Sequence, residues 1–348
     1  MQATAGCHQP GFVGLDVGGV STKAARLRAG SMRVASCPFE VWRDRDALAA
    51  VIGAALAEVG SDQDDEVALT MTAELSDAFR RKREGVAFVI DSAEAALGGR
   101  APRVLTTAGE LVSSATARAR PIEVAAANWM ATALEIAALH PDALLIDVGS
   151  TTADLIPLAD GRVTAVGRTD LDRLLAGELV YTGMLRTNLA AIARRVPVRG
   201  RWCPVSSELF AISADVHLIL GHIAPSEYEG PTPDGRDATV DCARERVARL
   251  VCADVEQLDI GEIDAIVGHL HAEQVRQIET AARRVVTRCA ADAPVVAVGA
   301  GALLAREVAA RLGRRLVAAP EGWGAAAAKA APAAALAGLL ARRAGARC

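Results

Sequence analysis

The chain has 348 residues, with 38 lysines and arginines against 42 aspartates and glutamates and a formal net charge of -4. Hydrophobic residues make up 51% and charged residues 23%, which excludes a disordered chain and favours two domains with sizeable cores. The near-neutral balance and an aromatic content of 3% supply neither a basic surface nor stacking platforms, so nucleic acid is excluded as a general partner.

Residues 1–11 lack the basic flank and apolar core of a secretory signal. The most apolar stretch, 324–340, is broken by Lys329 and Pro332, short of the roughly 20 apolar residues a spanning helix needs. Seven cysteines, Cys7, Cys37, Cys203, Cys242, Cys252, Cys289 and Cys348, are scattered and never spaced C-x-x-C. That pattern is expected of reduced thiols in a cytoplasmic protein.

In chain order, an apolar run at 12–17 ends in Asp16-Val17-Gly18-Gly19, and two β-rich stretches follow at 23–27 and 32–39 around Gly30. Short runs punctuated by glycine predict a three-stranded antiparallel meander. A helix is expected over 47–59, a buried strand over 67–71 and a helix over 73–79. Helix 86–97, strand 103–106 and helix 125–139 come next. A second buried strand, 143–147, runs into Val148-Gly149-Ser150-Thr151-Thr152 and a further strand, 153–157, repeating the opening event. The spacing is far longer than the roughly 20–50-residue period of a solenoid and points to two homologous domains, 1–140 and 141–348. Helices are expected over 207–220, 244–252 and 272–289, with an exposed Pro/Gly loop at 225–237. A strand at 294–298 then turns through Gly299-Ala300-Gly301 into helix 302–312. The Ala-rich tail, 325–346, packs as helices, against the first domain or as a dimer face. Strands alternating with helices make this an α/β protein.

Three loops can carry chemistry. In the first, Asp16 ends a buried strand, and Gly18 and Gly19 allow close backbone approach to an anion. Ser21, Thr22 and Lys23 offer hydroxyls and an ammonium, without the spacing of a Walker loop. The second, Asp147 with Gly149, Ser150, Thr151, Thr152 and Asp154, repeats that grammar. The third, Gly299 to Gly301, opens a helix, whose N-terminus favours an anion. Two strand-end carboxylates, Asp16 and Asp147, with Asp154 as a third candidate, suit Mg²⁺ held beside a di- or triphosphate.

Together the three loops resemble the acetate/sugar kinase, actin and heat-shock chaperone superfamily: two ribonuclease-H-like domains around a central cleft, Gly299 and Gly301 marking the adenosine turn. Further stretches resemble the hydantoinase/oxoprolinase-related branch. They are 70–77 (Thr-Met-Thr-Ala-Glu-Leu-Ser-Asp), 126–133 (Ala-Ala-Asn-Trp-Met-Ala-Thr-Ala), 147–154, 181–187 (Tyr-Thr-Gly-Met-Leu-Arg-Thr), 207–211 and 213–216. In this order they are similar to small proteins encoded with tetrahydromethanopterin-linked one-carbon transfer enzymes, and to the furanylmethanamine synthases of methanofuran biosynthesis. That resemblance implies a transferase joining a furanmethyl diphosphate to the phenol of a γ-glutamyl-tyramine or tyrosine-type unit, with diphosphate released.

For such chemistry, Mg²⁺, the loop amides and Lys23 would neutralise the leaving group. Glu74 and Asp77 are candidates to meet the furan ammonium, their bland reading being a solvated helix start. Glu74, Asp147 and Asp215 are open candidates for the base. Asn128 and Trp129 could line the aromatic pocket, against plain core packing for Trp129. Arg186 could clamp a carboxylate or diphosphate, against an ordinary surface position. His217, His222, His269 and His271 lack a familiar ligand spacing and read as surface or packed residues rather than a zinc site. An ATP-dependent small-molecule kinase or hydantoinase-type hydrolase, and a nucleotide-switched binding protein, are the alternative functions.

Overall fold

The computed structural model describes residues 10–317, 320 and 323–345. Two compact units emerge: Met1–Pro141 with Asp160–Asp172 and Ala319–Cys348, and Asp142–Ala159 with Arg173–Ala318. The expected second domain, 141–348, thus yields two segments to the first unit.

In the first unit, β1 (Phe12–Val17), β2 (Ser21–Arg28) and β3 (Ser31–Pro38) form the antiparallel meander. Its second turn is Ala29-Gly30, both at positive φ (48° and 76°), the backbone that tight hairpins need. Helix α1 (Leu48–Glu58) buries Leu48, Ile52, Ala55 and Leu56, a single helical stripe. Strand β4 (Glu66–Met71) lies parallel to β1. Helix α2 (Lys82–Ala96), β5 (Arg103–Leu105), β6 (Leu111–Ser113) and α3 (Asn128–Leu139) complete the unit. The sheet order is β3-β2-β1-β4-β5-β6.

The C-terminal helix, Ala331–Gly345, packs on β1, β2, β4 and α3. Gly14 makes this possible: a Cβ there would lie 2.0 Å from the Ala333 carbonyl oxygen. The helix buries Leu336, Leu339, Leu340 and a run of alanines, whose small side chains permit that close approach.

The second unit starts with β7 (Ala143–Val148), β8 (Ala153–Ala159) and β9 (Leu179–Val180). Helices α4 (Ser213–Ile219), α5 (Val240–Arg249) and α6 (Ile260–Val285) follow. Strand β10 (Val295–Val298), α7 (Ala302–Arg311) and β11 (Leu316–Val317) close it. Its strands run β9-β8-β7-β10-β11, with the first three antiparallel and the last two parallel to β7. Third-second-first-fourth-fifth is also the order in the first unit, so each is a ribonuclease-H-like sheet of the actin-like ATPase kind. No helix of the described residues is long and apolar enough to cross a membrane.

Several expected elements differ. The predicted helix 73–79 is a single 3-10 turn, Ala73–Leu75. The helix expected over 207–220 is only α4; its first six residues are irregular. Helix 272–289 instead begins at Ile260, where Asp259 and Glu262 form a reciprocal cap (Glu262 N–H to Asp259 Oδ1 2.8 Å, Asp259 N–H to Glu262 Oε2 3.0 Å). A two-stranded hairpin, Arg195–Val198 with Arg201–Pro204, was not anticipated. Cys37, Cys203, Cys242, Cys252 and Cys289 are free thiols, and Cys7 and Cys348 lie outside the described residues.

Candidate functional site

The two Asp-Gly hairpins are built alike. In the first, the Gly18 N–H donates to the Ser21 carbonyl at 2.9 Å, and in the second Gly149 donates to Thr152 at 2.9 Å. The neighbouring parallel strand supports each in the same way. Thr72 N–H donates to the Val17 carbonyl at 2.9 Å, and Gly301 N–H to the Val148 carbonyl at 2.8 Å. Asp16 and Asp147 occupy matching strand ends and are each 7% exposed.

They differ in what faces them. Asp16 is registered with Lys23 across β1 and β2, whereas Asp147 is registered with Asp154 across β7 and β8. Burial raises the Asp16 carboxyl to about 6, partly offset by the Lys23 ammonium. Its Oδ1 is buried without a hydrogen bond among the described residues, as is the hydroxyl of Thr70, its parallel register partner. A buried acceptor in this condition fits a cation ligand. The Lys23 ammonium also donates to the Lys329 carbonyl at 3.3 Å.

Glu74 follows β4 on its 3-10 turn and is 1% exposed. Gly85 of α2 lets that helix press on the turn: a Cβ would stand 2.6 Å from the Glu74 Cα. Among the described residues neither carboxylate oxygen has a well-formed hydrogen bond, and burial raises the acid to about 7 against the pull of Lys82 and nearby N–H groups, including that of Ala126. Ala126 itself holds φ of 49°, a left-handed conformation costly for a residue with a Cβ and typical of functional sites. The bridge between Met71 and Ala125 brings this kink alongside the end of β4.

In the second unit the segment Thr182 to Arg186 seats the hairpin. Met184 N–H donates to the Gly149 carbonyl at 2.9 Å, and Leu185 and Arg186 N–H groups donate to Ser150 at 2.9 and 3.0 Å. Gly183 is obligatory there, since a Cβ would sit 2.5 Å from the Thr151 backbone. Half-buried Arg186 therefore joins Gly149, Ser150 and Thr151 in one neighbourhood. Gly299, at φ of 87°, would place a Cβ 2.5 Å from Asp147 Oδ1, and one on Gly301 would meet Val148 Cγ1 at 2.5 Å. Both glycines are explained by close packing of the turn on the end of β7.

Other expected site residues are placed elsewhere by the fold. Asp154 accepts from Arg173 at 2.6 Å, which makes it an ion-pair partner and a poor metal ligand. Asp215 is fully buried and accepts from Arg246 at 2.7 and 2.9 Å, Tyr228 at 3.1 Å and the Ile212 N–H at 3.0 Å. It is a structural anchor of α4, not an available base. Trp129, 1% exposed, is core, and Asn128 accepts from the Trp129 N–H at 2.9 Å at the start of α3. Thr22 is fully buried, so its hydroxyl cannot grip a phosphate, because it alternates inward from Ser21 and Lys23. Asp77 is exposed on a turn.

The histidines depart most from expectation. His217, His222 and His271 each bring one ring nitrogen within 4.8 Å of the others. Their spacing in sequence hides this, because α4 and α6 converge through packing that no short motif records. Of the four histidines singled out from the sequence, His269 stays apart, bound to the Arg195 carbonyl at 3.1 Å.

The hydantoinase/oxoprolinase family pattern matches residues 65–343. A Methanocaldococcus jannaschii protein named (4-{4-[2-(gamma-L-glutamylamino)ethyl]phenoxymethyl}furan-2-yl)methanamine synthase is 36% identical over 278 residues, 78% of this chain and 82% of its own. A protein of the same name from Methanococcus vannielii is 38% identical over 124 residues, 36% of this chain and 55% of its own. Both names denote enzymes. Nucleotide-free acetone carboxylase, from work on ATP-dependent acetone carboxylation, superposes with a TM-score of 0.64 at 10% identity, covering 94% of this chain and 70% of that one. At that identity the likeness speaks to fold alone.

Proposed function

The chain belongs to the hydantoinase/oxoprolinase family, and we propose that it is a synthase of methanofuran-type cofactor biosynthesis. It joins a furanmethyl diphosphate to the phenol of a γ-glutamyl-tyramine or tyrosine-type unit as an aryl-alkyl ether and releases diphosphate. The observation carrying this reading is the 36% identity to the named synthase over most of both chains.

The chemistry assigns roles to the first unit. The phenol, with an ordinary pKa of roughly 10, must lose its proton as its oxygen attacks the furan methylene carbon. Glu74, raised to about 7, accepts that proton directly or through one water. The new bond is the phenol oxygen to the methylene carbon. The bond broken joins that carbon to the diphosphate oxygen, which leaves with the electron pair. The backbone N–H of Gly19 and the Ser21 hydroxyl bind the departing anion, the Gly18 N–H being committed to the Ser21 carbonyl. Mg²⁺ fits the orphaned Asp16 Oδ1, and when bound it supplies charge neutralisation at the diphosphate. Asp147 holds the matching position in its own unit, while the pairing of Asp154 with Arg173 removes it from the ligand set.

Purified protein incubated with aminomethylfuran-methyl diphosphate, Mg²⁺ and a panel of phenols tests the reading by mass. Ether together with diphosphate is the expected result. Folded protein that yields no ether with any phenol overturns it. Phosphate release from Mg-ATP under the same conditions would assign the kinase or hydrolase class instead.

A further inference from the structure

We infer that His217, His222 and His271 form a binding site for one divalent transition-metal ion of the Zn²⁺ class, with Gln274 and Glu307 orienting two of the three rings. The site lies within the second unit and is independent of the reaction proposed above.

The argument begins with hydrogen-bond direction. Gln274, fully buried, donates its amide to the Gly183 carbonyl at 2.8 Å and the Thr182 hydroxyl at 3.1 Å. A carbonyl can only accept, so the amide orientation is settled and Oε1 faces His217 Nε2 at 3.0 Å. His217 must then carry its proton on Nε2 and present a lone pair on Nδ1. His271 is arranged likewise: its Nε2 meets Glu307 Oε1 at 2.9 Å. Its Nδ1 is buried with no hydrogen bond among the described residues. The carboxylate-histidine pairing is the usual way a protein fixes the tautomer of a metal ligand.

His222 completes the set, with Nδ1 3.1 Å from Nδ1 of His217. The rings converge, at centroid separations of 5.1 to 5.8 Å. Zinc–nitrogen bonds of roughly 2.0–2.1 Å place tetrahedral ligand nitrogens roughly 3.4 Å apart. The 3.1 Å pair would widen slightly and the longer separations, none above 4.8 Å, would close as the rings turn onto the ion. Three neutral imidazoles select a borderline-soft ion over Mg²⁺, which prefers oxygen. Half-buried His222 and His271 provide the approach from solvent, and three protein ligands leave a fourth position open.

The consequence reaches the second hairpin. The chain of contacts runs from His217 through Gln274 to Gly183, whose segment holds Gly149 and Ser150. An ion at the histidines stiffens the seat of that loop.

The test uses full-length protein stripped with a chelator and titrated with Zn²⁺ by calorimetry and Co²⁺ by visible absorption. One equivalent is expected to bind, with tetrahedral or five-coordinate Co²⁺ bands and a raised melting midpoint. His222→Ala and His271→Ala, at half-buried positions, are expected to weaken Zn²⁺ more than 100-fold, and Glu307→Gln about 10–100-fold. No stoichiometric binding to the wild type would overturn the site. Unchanged affinity in both histidine variants, each shown folded by circular dichroism, would also overturn it.

Discussion

Oε1 of Glu74 lies 3.9 Å from Nζ of Lys82, beyond hydrogen-bond reach but close enough for the ammonium to favour the carboxylate. Lys82 is shared with Asp170, at 3.3 Å, so its charge is divided and burial dominates at Glu74. An acid held near neutrality by this balance suits proton transfer at physiological pH.

Glu74→Gln is therefore expected to lower ether formation about 10²–10⁴-fold. In the wild type, the rate should rise with pH around a midpoint of about 7, the ionised form being the base. The variant should lack that limb. A retained limb in the Gln variant would place the titration elsewhere.

The same acid affects stability in a defined direction. Its folded pKa exceeds its unfolded value, so the native state binds the extra proton. That contribution is complete below about 4.5 and is lost as pH rises to about 7, a change on the order of 3 kcal/mol. Denaturant midpoints of wild type and Glu74→Gln should accordingly diverge between those pH values, with the variant the more stable above neutrality.

Asp16→Asn should fold and should lose diphosphate release about 10²–10³-fold along with its Mg²⁺ dependence. Burial raises Asp16 to about 6, so without Mg²⁺ its ionisation opposes folding above that pH. The amide variant should equal or exceed wild-type stability at pH 8. Wild-type turnover in Asp16→Asn would dismiss the metal role.

Gly183→Ala forces a methyl to within 2.5 Å of the Thr151 backbone and should destabilise the second hairpin by about 1–3 kcal/mol. Gly19→Ala, with nothing among the described residues within 4 Å of the added carbon, is the matched control and should change stability by less than about 0.5 kcal/mol. Chemical denaturation distinguishes the two.

Asp215→Asn removes the buried anion from Arg246, both side chains being 0% exposed, and leaves Asp234 at 3.1 Å as its remaining carboxylate partner. A loss of about 3–5 kcal/mol is expected, with unfolding occurring before any specific effect on Mg²⁺ binding. Near-wild-type stability with abolished turnover would return Asp215 to the list of bases.

Local grammar made the strand-Asp-Gly hairpins readable from the residues alone: a buried strand end, glycines and hydroxyls are all contiguous in the chain. The repeat of that event at Asp16 and Asp147 specifies two like sheets. Helix α6 was only half legible: Ile263, Ile266, Val267 and Leu270 follow helical spacing, but Gly261 and Gly268 interrupt the stretch, whose start depends on the Asp259–Glu262 cap and on burial. Partnership across distance was decided by tertiary structure. It sent Asp215 to Arg246 and Asp154 to Arg173, removing two acids that sequence treated as available. It also gathered His217, His222 and His271 from two helices and a loop. The physical reason is that a side chain's charge and protonation follow what surrounds it in space, and a linear spacing carries that information only when the neighbours are also neighbours in the chain.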